Sequence, residues 1–546
     1  MSSTRQPAAD AGSFTRGDRV LLTLFALAVL LPGTFGVSLT DRDEGWYAQV
    51  SREMLQGGDW LIPHYLGQPW IAKPPLLYWC VAASFAVFGL HVWAARLISV
   101  LAMVGVVHLL GTLAGGLYNR RVALIACYSF ITAGLPLVIG KMLLTDNVLL
   151  LCMLAAMVLL WQFATQRPTP GRAAAFWLCV GLAVLAKGPA VIVFGGAFAL
   201  GLLLQPSARR RIFSARLWLL SPLFLLVAGP WYLYAALHAG GTLGQQFLGY
   251  EVVSRILGTP HGQGGPPGYY LLLSVAGWLP WTALVPGAVF ELWQARRRDR
   301  AAWLLLIWFG LPWIFLELIH SKLPHYILPC YVPLAIMFGR MWDVGLAHVP
   351  TTAQRIVLWI WAIVPLLLGA ALVAAATLGR AYAWSLATGV AGGALLLGFV
   401  VVARRVQRGR LWSAWRTAVG WTAAFHILIG LWVLPGFEPY RLSRTLANQA
   451  NALSGPAATI AACGYDEPSM FFYLRRPGRV ISTTQLADTL RESTAPVVVI
   501  ARDAELRAAG LTPDERPGWH RIVGFNYVKG REETVWVIQS NRAEPR

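Results

Sequence analysis

Residues 74–90 read "PPLLYWCVAASFAVFGL", and whether this run crosses a membrane decides the side of every loop that follows it. The chain around it is 57% hydrophobic and 13% charged over 546 residues, whereas soluble domains carry about a quarter charged residues. That composition reads as a polytopic α-helical membrane protein. Apolar runs of spanning length fall at 20–36, 97–117, 122–140, 147–163, 173–186, 189–204, 217–237, 269–293, 301–319, 326–341, 356–378, 381–402 and 414–434, which predicts about thirteen transmembrane helices. The first has the basic flank of a secretory signal but no small-x-small cleavage site, so it reads as a retained anchor.

Charge decides residues 74–90. With residues 1–19 in the cytoplasm and 74–90 an interfacial or re-entrant helix, the loops "YNRR", "QRPTPGR", "PSARRRIFSAR", "QARRRDR" and "ARRVQRGR" all fall on the cytoplasmic side, as the positive-inside rule requires. Counted as a span, the same run would put every one of them outside. The formal charge of +20, from 45 Lys and Arg against 25 Asp and Glu, is therefore loop charge facing anionic lipid. It implies membrane lipids as partners and no nucleic acid. The six cysteines are scattered and suggest neither a disulfide framework nor a zinc site.

This parity makes residues 20–434 a helical domain and gathers its chemistry on the external face. Residues 38–96 become a first external loop with interfacial helices, followed by "GKMLLTDN" (140–147), the long loop 238–268 and "HSKLPHY" (320–326). The tail, 435–546, lands on the same face. Its β-branched runs "ATIAACGY", "PVVVIAR" and "TVWVIQ" alternate with helical segments and predict a small α/β domain.

Several residues there suit chemistry, and each has a plainer reading. In "LTDRDEGWYAQVSREM" (39–54), Asp43 and Glu44 are either solvated loop or first-turn helix acids or a paired acid working at the membrane surface. Lys73, before two prolines, either snorkels or grips an anion. Asp146 is either a helix cap or a second working acid. Glu251 and Arg255 form an i, i+4 pair, unless the arginine holds a phosphate. Glu317 is an acid inside a predicted span, hence a functional candidate, or a partner for His320 or Lys322. His325 and Tyr326 belong either to an aromatic belt or to a phosphate site. Acids and cations that converge on one membrane face suit a donor with a lipid-borne phosphate.

The motifs "DEGWYAQVSREMLQGGDWLIPHYLGQPWIAKPPLLYW", "KMLLTDNVLLL", "GLAVLAKGPA" and "SKLPHYILPCYVPLAI" resemble the membrane-embedded C-type glycosyltransferases. Within them the chain is most similar to the lipid A 4-amino-4-deoxy-L-arabinose transferases, a branch near the protein O-mannosyltransferases. The resemblance runs from about Asp41 to Pro333 and weakens beyond. It implies an enzyme of the inner membrane that takes a sugar from polyprenyl phosphate at the periplasmic face. The implied acceptor is lipid A, with another envelope glycan or a protein hydroxyl as the alternative; a lipid-linked sugar flippase is the competing activity.

Carried over by position, the resemblance implies Asp43 and Asp146 as catalytic acids. Glu44, Tyr47, Lys73, Arg255, His325 and Tyr326 would bind substrate, with Lys73, Arg255 and Tyr326 on the carrier phosphate. A divalent metal between Asp43 and Asp146 is compatible with the pair but not demanded by it. The chain departs from the family at Trp46, where the arabinose transferases usually read arginine, and at Ala72, where they read glutamate. A Trp face suits stacking on a sugar ring.

Overall fold

The computed structural model describes residues 14–540, apart from residues 167, 240, 242–243, 246, 248, 250–252, 259–263, 346–351, 379–382, 493–495, 515–516 and 527–528. The chain divides into two compact units. One comprises Met1–Thr34, Ile71–Leu77 and Arg96–Val433, the other Phe35–Trp70, Tyr78–Ala95 and Leu434–Arg546.

The first unit is helical and makes this a multi-pass membrane protein. Among the described residues, eight helices are long and apolar enough to cross a membrane, or nine if the bent pair Arg120–Thr132 and Gly134–Lys141 is one span. Of the about thirteen spans expected, several are helices that break or fall short of that length. The run 122–140 bends by 65° because Ala133 is extended at φ −69°, ψ 144°, and the Gly134 N–H turns away to Leu279 O at 3.0 Å. Pro136 follows at the third position of the new helix, the one turn where a missing N–H costs nothing. The run 269–293 is likewise two helices, Tyr269–Gly277 and Val285–Ala295, separated by a 3-10 turn at Thr282–Leu284. Runs 189–204 and 301–319 yield helices of only 14 and 17 residues.

The run that opened the sequence reading becomes Leu76–Phe88, thirteen residues. At 1.5 Å per residue it rises about 20 Å, short of a hydrocarbon core of roughly 30 Å.

The second unit is built on a sheet. Strands β1 (His64–Tyr65) and β2 (Gln68–Pro69) form a short hairpin in the first loop. Strands β3 (Thr459–Cys463), β4 (Gly478–Val480), β5 (Val497–Arg502), β6 (Trp519–Asn526) and β7 (Arg531–Gln539) form one sheet in the order β4-β3-β5-β7-β6. β3 runs parallel to β4 and β5, and β7 pairs antiparallel with β5 and β6. Alternation along β3 and β5 gives each face its own core. Ile460, Ala462, Val498 and Ile500 pack with Leu446, Met470 and Phe471, while Ala461, Val497 and Val499 pack with Leu486 and Leu506. Tyr65 and Leu66 of the first-loop hairpin rest on the former cluster, so Phe35–Trp70 and the tail share one compact unit.

Candidate active site

In the first unit the site forms around Asp146. The chain enters the helix Thr145–Thr165 from an extended Leu144, and no side chain caps it, so Asp146 is not the cap that the sequence allowed. Its carboxylate reaches instead to Lys187, whose Nζ lies 2.7 Å from both oxygens. His325 Nε2 stands 3.6 Å from Oδ2. Asn147 next door donates to Ile139 O at 2.8 Å and Met142 O at 3.1 Å, satisfying the end of the preceding helix.

Lys187 ends the helix Pro170–Lys187, where the dipole favours a cation. The turn beyond it needs Gly188, at φ 66°, and a Cβ there would fall 2.5 Å from the Phe247 ring. The Lys187 ammonium also lies 4.6 Å above the Tyr326 ring, a cation–π contact in a desolvated setting. Tyr326 and its edge-on neighbour His325, 4.9 Å between centroids, come from the 3-10 turn Pro324–Cys330.

Lys73, Asp146, Lys187 and Tyr326 line one cavity of about 330 Å³ whose other walls include Ile192, Phe194 and Phe315. Two ammonium groups against one carboxylate leave the polar end net positive, and the remainder is hydrocarbon. Such a cavity suits an anionic head with an apolar chain.

Lys187 was absent from the sequence candidates, although "LAKGPA" was legible as a cation at the end of an apolar run. Arg255 sits on the four-residue helix Ser254–Leu257, but its side chain, like all of Glu251, lies outside the described residues. Glu317 proves structural. Its carboxylate accepts from the N–H groups of Gly268, Tyr270 and Leu271 at 2.9–3.1 Å, and so caps the helix Tyr269–Gly277. Lys322 meanwhile donates to the carbonyls of Leu316, Glu317 and Ile319 at 2.7–2.9 Å.

In the second unit, most charges of residues 39–54 are committed to folding. Glu44 is 0% exposed and accepts from Thr40 N and Oγ1 at 2.8 and 2.9 Å, which braces the turn. Glu53 receives the N–H groups of Leu66 and Gly67 at 2.9 and 3.1 Å, clamping the β1–β2 turn. Arg52 donates to the carbonyls of Phe471, Phe472 and Leu474, and Asp41 accepts from Ser443 and Ser469. Tyr47 is buried, its ring 6.0 Å from Tyr78.

Asp43 differs. It opens the helix Asp43–Gly57 directly after Arg42, a non-glycine residue at φ 66°, a conformation that costs of order 1–3 kcal/mol and clusters at working sites. Among the described residues its half-buried carboxylate makes no hydrogen bond or ion pair. Among the described residues no three His, Cys, Asp or Glu are placed to hold a divalent metal, and both Asp146 oxygens face an ammonium.

Residues 25–240 match the family described as dolichyl-phosphate-mannose-protein mannosyltransferase. The undecaprenyl phosphate-α-4-amino-4-deoxy-L-arabinose arabinosyl transferases of Enterobacter sp. (strain 638) and Pectobacterium carotovorum are 32% and 33% identical over 59% and 62% of this chain. The matched segments span 58% and 60% of those relatives. The crystal structure of ArnT from Cupriavidus metallidurans bound to undecaprenyl phosphate aligns with a TM-score of 0.76 at 22% identity, covering 97% of this chain and 99% of that one. An Archaeoglobus fulgidus oligosaccharyltransferase aligns with a TM-score of 0.51 at 11% identity, over 96% of this chain and 74% of that one. The fold is that of ArnT.

Proposed function

We propose that the chain is a glycosyltransferase that moves 4-amino-4-deoxy-L-arabinose from undecaprenyl phosphate to lipid A. The observation that carries this reading is the cavity of Lys73, Lys187, Asp146 and Tyr326, cationic at one end and apolar along its walls. The names of the arabinose-transferring relatives supply the sugar and acceptor.

In the reaction the bond between the anomeric carbon and the phosphate oxygen breaks through an oxocarbenium-like state, and a bond from that carbon to an acceptor oxygen replaces it. Lys73 and Lys187 take up the charge growing on the departing phosphate, each worth roughly 3 kcal/mol in a dry, preorganised site. Asp146 and the Tyr326 face hold the Lys187 ammonium in position, so we assign Asp146 to orientation and not to proton transfer. Arg255, carried over from the resemblance, joins the phosphate contacts. Asp43 faces the acceptor, orienting its oxygen or receiving its proton.

The basic loops set the orientation by charge bias. The N-terminus is cytoplasmic, the tail periplasmic and the membrane the inner one.

The test is purified protein with undecaprenyl-phosphate-linked aminoarabinose and lipid A, followed by mass spectrometry of both products. Asp43→Asn and Lys73→Ala should each lower turnover by at least a hundredfold. Undiminished turnover in both variants removes the assignment.

A further inference from the structure

In residues 43–52, the first ten of the helix Asp43–Gly57, eight are buried and only Asp43 and Trp46 are not. Their i, i+3 spacing sets both on one face, a single turn apart. Trp46 is not alone there. Its ring lies 5.5 Å from Trp70 at an interplanar angle of 30°, and Trp70 lies 5.5 Å from Tyr65. All three rings are half-buried, so the group is anchored on one side and open on the other.

The anchor is firm. Tyr65 belongs to β1 and meets Phe471 edge-on at 6.4 Å, within the tail's own core. Trp70 closes the β1–β2 hairpin through its N–H to Pro63 O at 2.7 Å. Glu53 pins the turn of that hairpin back onto the helix bearing Asp43 and Trp46. A shelf built this way loses little conformational freedom when something settles on it, which favours affinity.

We propose that Trp46, seated on Trp70 and Tyr65, is the acceptor-specificity element of the enzyme, stacking on a pyranose ring of the acceptor glycan and presenting that ring's edge to Asp43. The inference rests on the reading of Asp43 as the acceptor-facing group. The apolar face of a sugar ring packs on an aromatic plane while its hydroxyls stay free to bond at the rim. The charge nearby fits such a ring better than a bare phosphate. Asp41 and Asp43 border the helix start, and Arg42 is the single cation in the segment 39–51. Where the arabinose transferases resembled by this chain usually carry arginine, which grips anions bidentately, Trp46 exchanges charge recognition for shape.

The experiment uses the full chain in nanodiscs, with undecaprenyl-phosphate-linked aminoarabinose as donor and diphosphorylated lipid A as acceptor. Trp46→Ala should raise the half-saturating lipid A concentration at least tenfold while that of the donor stays within twofold. Trp46→Phe should recover most of the loss, which a merely structural tryptophan would not predict. Trp70→Ala, which removes the support but leaves Trp46, should show the same split in weaker form and serves if Trp46→Ala fails to fold. Unchanged lipid A dependence in both alanine variants, or equal shifts for donor and acceptor, overturns the proposal. Should wild-type protein release undecaprenyl phosphate yet leave lipid A unmodified, the lipid A acceptor proposed above fails. The shelf is then read from equilibrium binding of the free glucosamine disaccharide, where loss of binding in Trp46→Ala supports it and equal binding overturns it.

Discussion

Asp146 is 4% exposed and depends on Lys187 for its charge to be tolerated. Removing one partner of a buried pair leaves an uncompensated ion, which typically costs about 3–5 kcal/mol, whereas replacing both by apolar groups is often close to neutral. Lys187→Met should therefore lower the unfolding midpoint in detergent strongly, and Asp146→Leu in the same chain should restore much of it without restoring turnover. A double variant no more stable than the single one would show that the ion pair is not what holds this site. The pair also marks where sequence reading stops. Asp43, Lys73, Asp146 and Tyr326 stand out as candidates in the sequence because charge or a phenol at the edge of an apolar run needs a reason. Lys187 stood at such an edge too, but its partner lies 41 residues away and no spacing rule joins them. Glu44 and Glu317 stand out in the same way, yet both carboxylates accept from backbone N–H groups. Nothing in a sequence says that a carboxylate has already been claimed by the backbone N–H of Thr40 or of a helix start.

At the scale of elements, the helix Asp43–Gly57 is fixed by two contacts that the sequence did not announce. A Cβ on Gly45 would fall 2.4 Å from Ser469 N and 2.9 Å from Pro468 C, and backbone cannot swing aside as a side chain would. Gly45→Ala should cost more than the gain in helix propensity, about 1–3 kcal/mol as overpacking, read as a lower midpoint in thermal unfolding. A midpoint equal to wild type would mean that the close approach is not maintained. Arg52, the second contact, is 7% exposed and serves three carbonyls at the end of the helix Pro468–Tyr473. Arg52→Met keeps the volume but strands those oxygens, so limited proteolysis should cut the tail faster in that variant, and Arg52→Lys should fall between. The membrane helices show a complementary limit. Their apolar runs were plain, yet hydrophobicity is blind to the extended Ala133 and the turn at Thr282–Leu284, so two runs that read as single spans are broken.

For the molecule as a whole, the consequence is that the tail is not an appendage, because Phe35–Trp70 and Leu434–Arg546 share one compact unit. Glu467 reports on that union. It is 7% exposed and pushed up to about 7, first by burial and then by the Asp41 carboxylate of the first loop, against the opposing pull of Asn526, Arg42 and Lys529. An acid held neutral by the fold stabilises it most fully below the ordinary glutamate value. That stability declines as pH rises towards 7 and is gone above it. The full-length protein should accordingly lose up to about 3 kcal/mol from this group between pH 4.5 and 7. Glu467→Gln, neutral throughout, should remove that slope and leave the variant more stable than wild type at pH 8 while matching it at pH 4.5. Pulse proteolysis across urea concentrations at the two pH values measures the difference. Parallel pH dependence in variant and wild type would mean that Glu467 titrates no differently in the folded chain. Deleting the chain from Leu434 onward tests the union more severely. It takes away the Ser443 and Ser469 hydroxyls bonded to Asp41, the Glu438 carboxylate bonded to Ser38 at 2.7 Å, and the carbonyls that hold Arg52. If the first loop depends on those partners, the truncated protein should lose glycosyl transfer and expose the 39–57 segment to protease, although the Lys73–Lys187 cavity of the other unit is retained in full. Full transfer by the truncated chain would show that Asp43 keeps its place without the tail.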